Sequence, residues 1–435
     1  MNRHLLLIVA SPFGMGWRGG TARLMYFGSG LAQHGWEATL ISAERDERLA
    51  NVIEGPEKAF PGRVVRTPFG ATPEWLRRRF LWRAERSWSD NLCALGLGWP
   101  RRLHGWYRQA PDLPKPDVVL GVSTGGLVDI IAAQRIARLA DCPLVVEFRD
   151  PCPPRGARTT LMERRALGDC LTAASVVLTT TQALADQLST RFAGCRGKTS
   201  AIHHFYDDTI PLPKDTTATA GKELNLLFVG TLYPTLAPGA FALLGGLAEF
   251  LKQRPEARAH TRLRFLGGSG GSGVAESIAA EVGISDVLES LAEQPPAAAI
   301  RTMDSADVLV VVNYANEWAL SCVPGKVPQY MSRGKPILGV TPPCEAADII
   351  RQSGLGVVAP PNDPEAVARI LSHYWEHRSE LGELFRPNWD YINQFSHTAA
   401  MARIHGLLEE AVASYSGATG GDSRGAATTG QTETP

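Results

Sequence analysis

The strongest constraint on the fold is an alternation of short apolar segments with segments of helical periodicity, which occurs twice along the chain. In the first half, the apolar segments Leu5–Ala10, Val118–Val122 and Leu144–Phe148 are separated by stretches in which apolar residues recur every three or four positions. Strands that are apolar on both faces and alternate with helices are typical of parallel sheets covered by helices on both sides. Residues 1–205 are therefore predicted to form one doubly wound α/β domain.

The pattern restarts after a polar, Pro- and Thr-rich connection at Asp207–Lys222. Strand candidates such as Leu224–Gly230 and Val308–Asn313 alternate again with helical stretches. A second Rossmann-like domain is therefore predicted over residues 206–385. Two such domains in tandem place a cleft between them, at the carboxyl ends of both sheets.

The C-terminal part is predicted to contain helices over residues 386–415 that pack back on the N-terminal domain. Residues 416–435 contain no large aliphatic side chain and are rich in Gly, Thr, Ser and Ala. Such a segment cannot bury enough apolar surface to offset the entropy of ordering it, so it is predicted to be a disordered tail.

Composition narrows the function classes. The 435 residues contain 44 Lys plus Arg and 44 Asp plus Glu, and this balance argues against a nucleic-acid binder. Seven cysteines without a C-x-x-C pair form neither a zinc signature nor a disulfide framework, which favours a reducing, cytoplasmic location. The first apolar segment is too short for a signal-peptide core, so neither an export signal nor a membrane span is expected.

A glycine-rich segment, Pro12–Gly20, follows the first predicted strand. The adjacent Gly19 and Gly20 let backbone N–H groups approach a ligand, and the positive end of the following helix points toward it. This pattern favours a phosphate or its attached sugar as ligand. A flexible turn without a ligand is the alternative.

The segment Glu317–Leu338 is the most specific in the chain. Pro324 suits the first turn of a helix, Gly325 leaves backbone donors free, and Lys326 adds a positive charge, which together predict a diphosphate cradle. Gln329, one turn later, can hydrogen bond to sugar hydroxyls. An ordinary helix–strand unit with a surface lysine is the alternative.

Residues 325–338 resemble the donor-site helix of GT-B fold glycosyltransferases of the large retaining, nucleotide-sugar-dependent family (glycosyltransferase family 4-like). Further segments resemble the same family in the same order along the chain. These segments are Gly19-Gly20, His34–Thr39, Val145–Pro151, Ala173–Val177 and Phe228–Tyr233. The resemblance implies a GT-B fold with two domains facing across a cleft. It also implies transfer of a sugar from a nucleotide-diphosphate sugar to an acceptor hydroxyl, with retention and without a metal or cofactor.

Several positions depart from the family pattern. Gln329 stands where the family commonly has Glu, and Ser321 stands eight residues earlier where its first acid belongs, with Glu317 nearby but out of register. Thr231 occupies the stretch where the family has basic residues. The donor-binding residues implied by the resemblance and the local chemistry are Gly19, Gly20, Gly230, Thr231, Glu317, Ser321, Pro324, Gly325, Lys326 and Gln329.

Asp150, with Arg149, ends a predicted strand of the first domain, where open α/β sheets place functional groups. The acid is predicted to orient an acceptor hydroxyl or to act as a base, with Arg149 beside it. A loop-capping acid paired with its neighbouring arginine is the alternative.

An insertion over residues 72–110 is basic and rich in Trp, with eight Arg against Glu74, Glu85 and Asp90. Arg interleaved with Trp is typical of a surface that contacts anionic lipid or docks an acceptor. It predicts peripheral contact with the inner face of a membrane and a lipid-linked saccharide as acceptor. A solvated insertion whose aromatic residues pack on their own domain is the alternative.

Other outcomes stay open at this point. The acceptor could also be a cell-surface saccharide or a small-molecule secondary metabolite. The same fold also serves nucleotide-sugar epimerases, and the missing Glu is compatible with a catalytically silent partner subunit.

Overall fold

The computed structural model describes residues 2–9, 19–43, 60–67, 98–110, 112–123, 126–151, 160–212, 223–267 and 273–421. They form two parallel sheets, each with helices packed against it, followed by a C-terminal helical segment. The predicted fold class, two Rossmann-like α/β domains, is confirmed.

The N-terminal domain contains a seven-stranded sheet in the order β3-β2-β1-β4-β5-β6-β7, in which all neighbouring strands are parallel. Its strands are β1 Arg3–Val9, β2 Trp36–Ala43, β3 Arg63–Thr67, β4 Val118–Ser123, β5 Leu144–Phe148, β6 Ala174–Thr179 and β7 Thr199–Ala201. Its helices are α1 Gly19–Ala32, α2 Trp99–Tyr107, α3 Val128–Ala140, α4 Leu161–Ala173 and α5 Gln182–Arg191, with a 3-10 turn at Ala193–Cys195.

The C-terminal domain contains a six-stranded parallel sheet in the order β10-β9-β8-β11-β12-β13. Its strands are β8 Leu224–Val229, β9 Thr261–Leu266, β10 Leu288–Leu291, β11 Val308–Val312, β12 Ile337–Val340 and β13 Gly356–Ala359. Its helices are α6 Ala237–Gln253, α7 Val274–Glu281, α8 Pro296–Asp304, α9 Lys326–Met331, α10 Glu345–Gln352 and α11 Pro364–Glu376. Short 3-10 helices cover Pro234–Leu236, Pro255–His260, Glu317–Ser321 and Leu381–Leu384.

The chain then returns to the N-terminal domain through α12 Trp389–Ile392, a 3-10 turn at Asn393–Phe395 and the long helix α13 His397–Gly421. Met401, Ile404 and Leu408 of α13 belong to the same apolar cluster as Leu24 and Leu31 of α1. The two helices approach so closely that a Cβ added to Gly30 would lie 2.3 Å from the Met401 side chain. The last helix is therefore part of the N-terminal core.

The two chain crossings between the domains run side by side. The Tyr206 N–H donates to the Phe395 carbonyl (3.0 Å), and the His397 N–H donates to the Tyr206 carbonyl (2.8 Å). Asp207, Asp208 and His397 bring potential metal-ligand atoms within 4.8 Å of one another at this crossing. Asp207 already accepts hydrogen bonds from Tyr26 and Thr209. We therefore assign these three side chains a structural role at the crossing between the domains.

The start of the predicted disordered tail is wrong, because α13 continues to Gly421 and so includes residues 416–421. The backbone there extends a helix whose earlier turns are anchored by packing, and the Ser416 hydroxyl donates to the Val412 carbonyl (3.0 Å). Residues 422–435 lie outside the described residues.

One segment, Pro234–Gln253, is long and apolar enough to cross a membrane. More than half of its most apolar window, 56%, is buried inside the protein, as expected for a core helix. It packs chiefly against α11 and contributes Leu243, Leu247 and Phe250 to the C-terminal core.

The packing of α13 leads to a stability prediction. Met401→Ala should lower the free energy of unfolding by about 2–4 kcal/mol, because it leaves a cavity between α1 and α13. Urea unfolding followed by tryptophan fluorescence measures this, since the buried Trp36 hydrogen bonds to His405 of α13. The exposed Glu410→Ala on the same helix should stay within about 0.5 kcal/mol of the parent. Equal midpoints for the two variants would contradict this packing.

Candidate active site

A buried carboxylate organises the carboxyl-terminal edge of the N-terminal sheet. Glu147, in β5, has no solvent exposure and accepts hydrogen bonds from Arg23 Nε (2.7 Å) and Arg149 Nε (2.9 Å). Burial alone would raise the pKa of Glu147, but the two guanidinium groups lower it by more than burial raises it. The net pKa therefore lies below its ordinary value. The carboxylate is therefore ionised, and the three residues together carry one excess positive charge.

Arg23 also connects α1 to the end of the sheet. Its two terminal nitrogens donate to the carbonyls of His203 (2.8 Å) and Ile202 (3.0 Å), which follow β7. Arg149, predicted at the acceptor side, is buried and directs its Nε to Glu147. Arg149 is therefore also part of the buried charge network formed with Glu147 and Arg23.

His204 links this network to the C-terminal domain. A Cβ added to Gly325 would lie 3.5 to 3.7 Å from atoms of the His204 ring. Burial, reinforced by repulsion from Arg23 and Arg149, lowers the pKa of His204 to about 3, so the ring is neutral. The His204 ring thus lies between the excess positive charge of the N-terminal domain and the start of α9.

Lys326 begins α9 and extends toward the end of β8. Its Nζ lies 3.5 Å from the Phe228 ring centroid and 3.5 Å from a Cβ placed on Gly230. In the described part of the chain, no carboxylate forms an ion pair with Lys326. Burial lowers the pKa of Lys326 to about 7. An ammonium group without a countercharge in such a position favours an anionic ligand.

The backbone beside Lys326 has a shape that favours glycine. Gly230 and Gly267, which end β8 and β9, have φ values of 108° and 100°, a region that other residues avoid. The buried Tyr330 hydroxyl accepts the Val229 N–H (2.8 Å), so α9 holds the end of β8 in place. The sequence analysis missed Tyr330. Its position in the same short helix as Lys326 and Gln329 was the signal that could have identified it.

Asp150 faces the C-terminal domain. Burial raises the pKa of Cys322 to about 12, with the negative charge of Asp150 as the next contribution, and Asp150 also contributes, after burial and Cys322, to the raised pKa of Tyr314. Both groups belong to the segment between β11 and α9. The predicted acceptor-side acid therefore lies close to the segment that leads to Lys326.

The other predicted donor residues occupy different surroundings. Gly19 and Gly20 form the first turn of α1, while residues 10–18 of the glycine-rich segment lie outside the described residues. Thr231 follows Gly230 and is half-buried. Gln329 is also half-buried, and its backbone carbonyl accepts the Ser332 hydroxyl (2.7 Å). Glu317 is exposed at the start of a 3-10 turn.

Ser321 lies in the contact between the domains. Its hydroxyl donates to the Gln187 side chain (3.3 Å), and its carbonyl accepts the Thr181 hydroxyl (3.3 Å). Thr181 and Gln187 both belong to the start and body of α5 in the N-terminal domain. Ser321 thus joins the two domains beside the site.

The helix that Pro324 was predicted to begin starts two residues later. It begins at Lys326, with Gly325 as N-cap, and ends at Met331. Pro324 therefore precedes the helix instead of occupying its first turn, because its carbonyl accepts the Val327 N–H and closes the turn before it. In so short a helix the dipole is small, and the ammonium of Lys326 supplies most of the positive potential.

A second acid, which sequence reasoning missed, bridges the domains. Glu345, the first residue of α10, accepts the backbone N–H groups of Gln182 (3.0 Å) and Ala183 (3.2 Å) at the start of α5. It also contacts His203 Nε2 at 2.5 Å. Burial by itself would raise the pKa of Glu345, but these hydrogen bonds lower it below its ordinary value. We call these contacts of Glu345 the interdomain latch.

A cavity of about 580 Å³ lies beside the latch. It is lined by both domains, with Gln182, Asp186 and His203 on one side and Cys344, Glu345 and Tyr391 among those on the other. The cavity therefore lies between the two domains, with polar groups on both walls, and its lining includes none of the predicted donor residues.

Comparison with known proteins finds a family model that matches most of the first domain. The family model described as "Glycosyl transferase 4-like domain" matches residues 18–203. The D-inositol 3-phosphate glycosyltransferase of Streptomyces avermitilis is 29% identical over 230 residues, which cover 48% of this chain and 47% of that protein. The protein of the same name from Streptomyces scabiei is 30% identical over 183 residues, covering 37% of each. The matches thus span about half, or less, of these curated relatives.

Solved structures resemble the chain over nearly its whole length. Sucrose-phosphate synthase from Thermosynechococcus elongatus has a TM-score of 0.67 at 15% identity, covering 95% of this chain and 100% of that one. The HepE protein of Anabaena in complex with UDP has a TM-score of 0.63 at 13% identity, covering 94% and 100%. At these identities the likeness shows the fold, which is GT-B.

The interdomain latch leads to a prediction. Glu345→Gln should lower the free energy of unfolding by about 1–3 kcal/mol at neutral pH, because it removes the charge that satisfies His203 and two backbone donors. Urea unfolding measures the loss, and small-angle scattering should show a larger radius of gyration as the domains separate. Since the pKa of Glu345 is lowered by folding, this stability is present at neutral pH and is lost only as the pH falls through the folded-state pKa.

Asp348→Asn is the matched control, because Asp348 is exposed on the same helix and its ion pair among the described residues, with Arg351 at 3.4 Å, lies on the surface. It should stay within about 0.5 kcal/mol of the parent. Equal losses in the two variants would show that the latch contributes nothing specific.

Proposed function

Because the chain has the GT-B fold and a glycosyl transferase 4-like N-terminal domain, we propose that it is a glycosyltransferase that moves a sugar from a nucleotide-diphosphate sugar to an acceptor hydroxyl. The observation that carries the proposal is Lys326, an ammonium group beside Gly230 with its pKa lowered to about 7 by burial. Structures of Anabaena HepE with UDP and with UDP-glucose have the same fold, and this supports a nucleotide sugar as donor.

In the proposed reaction, negative charge develops on the diphosphate as it leaves the sugar. Lys326, the free backbone donors at Gly325 and the half-buried Thr231 are placed to stabilise that charge. Gly19 and Gly20 would bring the start of α1 to the same diphosphate from the N-terminal domain. Gln329 would hydrogen bond to hydroxyls of the donor.

Asp150 would hold the acceptor hydroxyl and accept its proton, or orient it for attack, from the N-terminal wall. Arg149 and Glu147 fix the end of β5 and so position Asp150. Closure of the two domains would expel water and suppress hydrolysis of the donor. We further propose retention of configuration, on the family resemblance.

The proposal also concerns the cofactor requirement, the cellular location and the acceptor. The positive groups of the cleft supply charge that a metal would otherwise supply, so we propose that no metal or cofactor is required, and activity should survive chelation by EDTA. The described cysteines 142, 170, 195, 322 and 344 are unbonded, which supports a cytoplasmic setting. We propose a saccharide, lipid-linked or small-molecule acceptor.

A second candidate is a donor-binding partner subunit without turnover of its own. Gln329 favours it, because an amide stands where the family commonly carries an acid. Donor binding without turnover, and activity only after a partner is added, would select it. Conversion of a nucleotide sugar to an isomer without any acceptor would instead select an epimerase.

The proposed role of Lys326 predicts opposite effects on binding and stability. Lys326→Met should weaken UDP-glucose binding by about 10- to 100-fold, since a charge-assisted contact to the diphosphate is lost. The same variant should leave the unliganded melting temperature unchanged or raised, because a buried charge without a partner is removed. Calorimetric titration and thermal unfolding measure the two effects.

Two variants separate this effect from others. Lys252→Met, at a Lys that is 80% exposed on the same domain, should change neither quantity. Asp150→Asn should leave donor affinity unchanged and lower turnover about 100-fold or more. UDP-glucose affinity that is indifferent to Lys326→Met would refute the donor site; if other nucleotide sugars also fail to bind the parent, the proposed function fails with it.

The lowered pKa of Lys326 also predicts proton uptake. At pH 8 a lysine with a pKa of about 7 is mostly neutral, and a bound diphosphate should recharge it, taking up about 0.9 proton per donor. Titration calorimetry in two buffers of different ionisation enthalpy measures this uptake. Lys326→Arg should bind without it. Because the folded-state pKa lies below the unfolded one, the free protein should gain stability as the pH rises above 7. Buffer-independent heats for the parent would contradict the assignment.

A further inference from the structure

We propose that the outer face of α2, α3 and α4 docks on an anionic phospholipid bilayer, with Leu161 and Met162 inserted among the lipids. We call this surface the arginine face. The inference concerns a partner of the N-terminal domain and does not depend on the donor site.

The three helices form one continuous layer. Helix α2 packs against α3, and α3 packs against α4. Their inner residues, such as Trp99, Ile131 and Leu167, belong to one apolar cluster. The outer residues of the same helices are therefore presented together on one side of the domain.

The aromatic residues of the insertion that the structure describes pack toward the core of the domain. Trp99 is 2% exposed, and Trp106 and Tyr107 pack against the N-terminal core. For these three residues, the alternative of aromatic packing on the domain itself is the outcome observed. Residues 72–97, with the remaining Trp residues of the insertion, lie outside the described residues.

The outward charges of the layer are strongly asymmetric. Seven arginines of these helices and their ends are exposed or half-exposed: Arg101, Arg102, Arg108, Arg135, Arg138, Arg164 and Arg165. The acids are fewer, because Asp129 is buried and Glu163 forms the capping box of α4 with Thr160. Asp141 and Asp169 are exposed, and Asp141 accepts the Tyr415 hydroxyl (3.0 Å). Each Arg near an anionic leaflet adds attraction, so this asymmetry fits such a surface.

A groove between α3 and α4 gives the face a place for a phosphate group. Its volume is about 270 Å³, and Arg135, Arg138 and Arg165 line it together with the apolar Ile131 and Met162. Asp169 also lines it and is the single acid there. A groove with three guanidinium groups and apolar walls matches a phospholipid, whose headgroup is anionic and whose neighbouring chains are apolar.

Two large apolar side chains stand at the edge of this groove. Leu161 is 83% exposed and Met162 is 44% exposed at the start of α4. Exposed aliphatic side chains beside arginines favour a lipid surface over a nucleic acid, for which stacking aromatic residues would be expected. The exposed parts of α2 to α4 supply Arg, Leu and Met for this purpose.

The position of α4 links docking to the cleft. Helix α4 follows β5, and the carboxyl end of β5 leads directly to Arg149 and Asp150. The start of α4 therefore lies at the same edge of the sheet as the proposed acceptor side. Docking through Leu161 would hold that edge at the lipid surface, where a lipid-linked acceptor would be located.

Vesicle flotation of the full chain tests the proposal. The parent should float with phosphatidylcholine vesicles containing about 30% phosphatidylglycerol and not with pure phosphatidylcholine. The double variant Arg138→Glu/Arg165→Glu should bind the anionic vesicles at least about 10-fold more weakly. Leu161→Ser should also weaken vesicle binding, but should leave any binding to a short DNA duplex unchanged.

The control is Lys252→Glu/Arg351→Glu, which makes the same charge change at exposed positions of the other domain. It should float like the parent. All variants should keep the parent's thermal unfolding and its UDP-glucose affinity, so that failure here is distinguishable from failure of the donor site. The proposal is overturned if the parent does not float, if the control variant loses as much binding as the double variant, or if DNA competes fully with the vesicles.

Discussion

The cleft of this protein depends on one ionised carboxylate that is fully buried. Glu147 neutralises one of the two guanidinium groups that contact it, and through Arg23 it holds α1 against the chain that leaves β7. Removing such a carboxylate would leave two cations in a region that water cannot reach, at a large cost in free energy. This carboxylate therefore fixes three segments relative to one another at the carboxyl edge of the sheet: the end of β5, helix α1 and the chain that follows β7.

The same network gives the cleft its sign. One positive charge remains in excess beside Glu147. Burial, together with repulsion from Arg23 and Arg149, lowers the pKa of His204 and keeps its ring neutral. On the opposite wall, burial makes the charge of Lys326 costly until an anion is present. Both domains therefore present a region in which a diphosphate would be stabilised from two sides, and closure brings the two contributions onto one ligand. In the proposed function, this would allow a site split between the two domains to bind its donor in a closed form.

Much of the fold could be predicted from the sequence, because buried parallel strands are nearly continuous apolar runs. β5 has the predicted bounds, and β1, β4, β8 and β11 differ from the predicted segments by one or two residues at their ends. The edge strands β3 (Arg63–Thr67), β7 (Thr199–Ala201) and β10 (Leu288–Leu291) were missed, since they carry polar residues and lack that signal. Propensity in these segments is weaker than the pairing supplied by a neighbouring strand.

The site was less predictable, because it is built from contacts between distant segments. Lys326 and Asp150 could be found from local patterns, and a single acid within the apolar strand at Glu147 was a signal that a partner had to exist. The partner, Arg23, is 124 positions away, and nothing local identifies it. Glu345 was missed for the same reason, since its role comes from the start of a helix in the other domain.

The departures of this chain from the pattern of the family that it resembles have a physical account at Ser321. This position, where the family commonly has an acid, is fully buried and joins the two domains through Thr181 and Gln187. A carboxylate there would need a cation within reach, and the groups that surround Ser321 in the described residues are a hydroxyl and an amide. Glu345 supplies the negative charge at the interface instead, on α10, where backbone N–H groups and His203 satisfy it. The acid at this domain boundary thus holds the domains together, and in the proposed function the amide of Gln329 would contact the donor without adding negative charge beside its diphosphate.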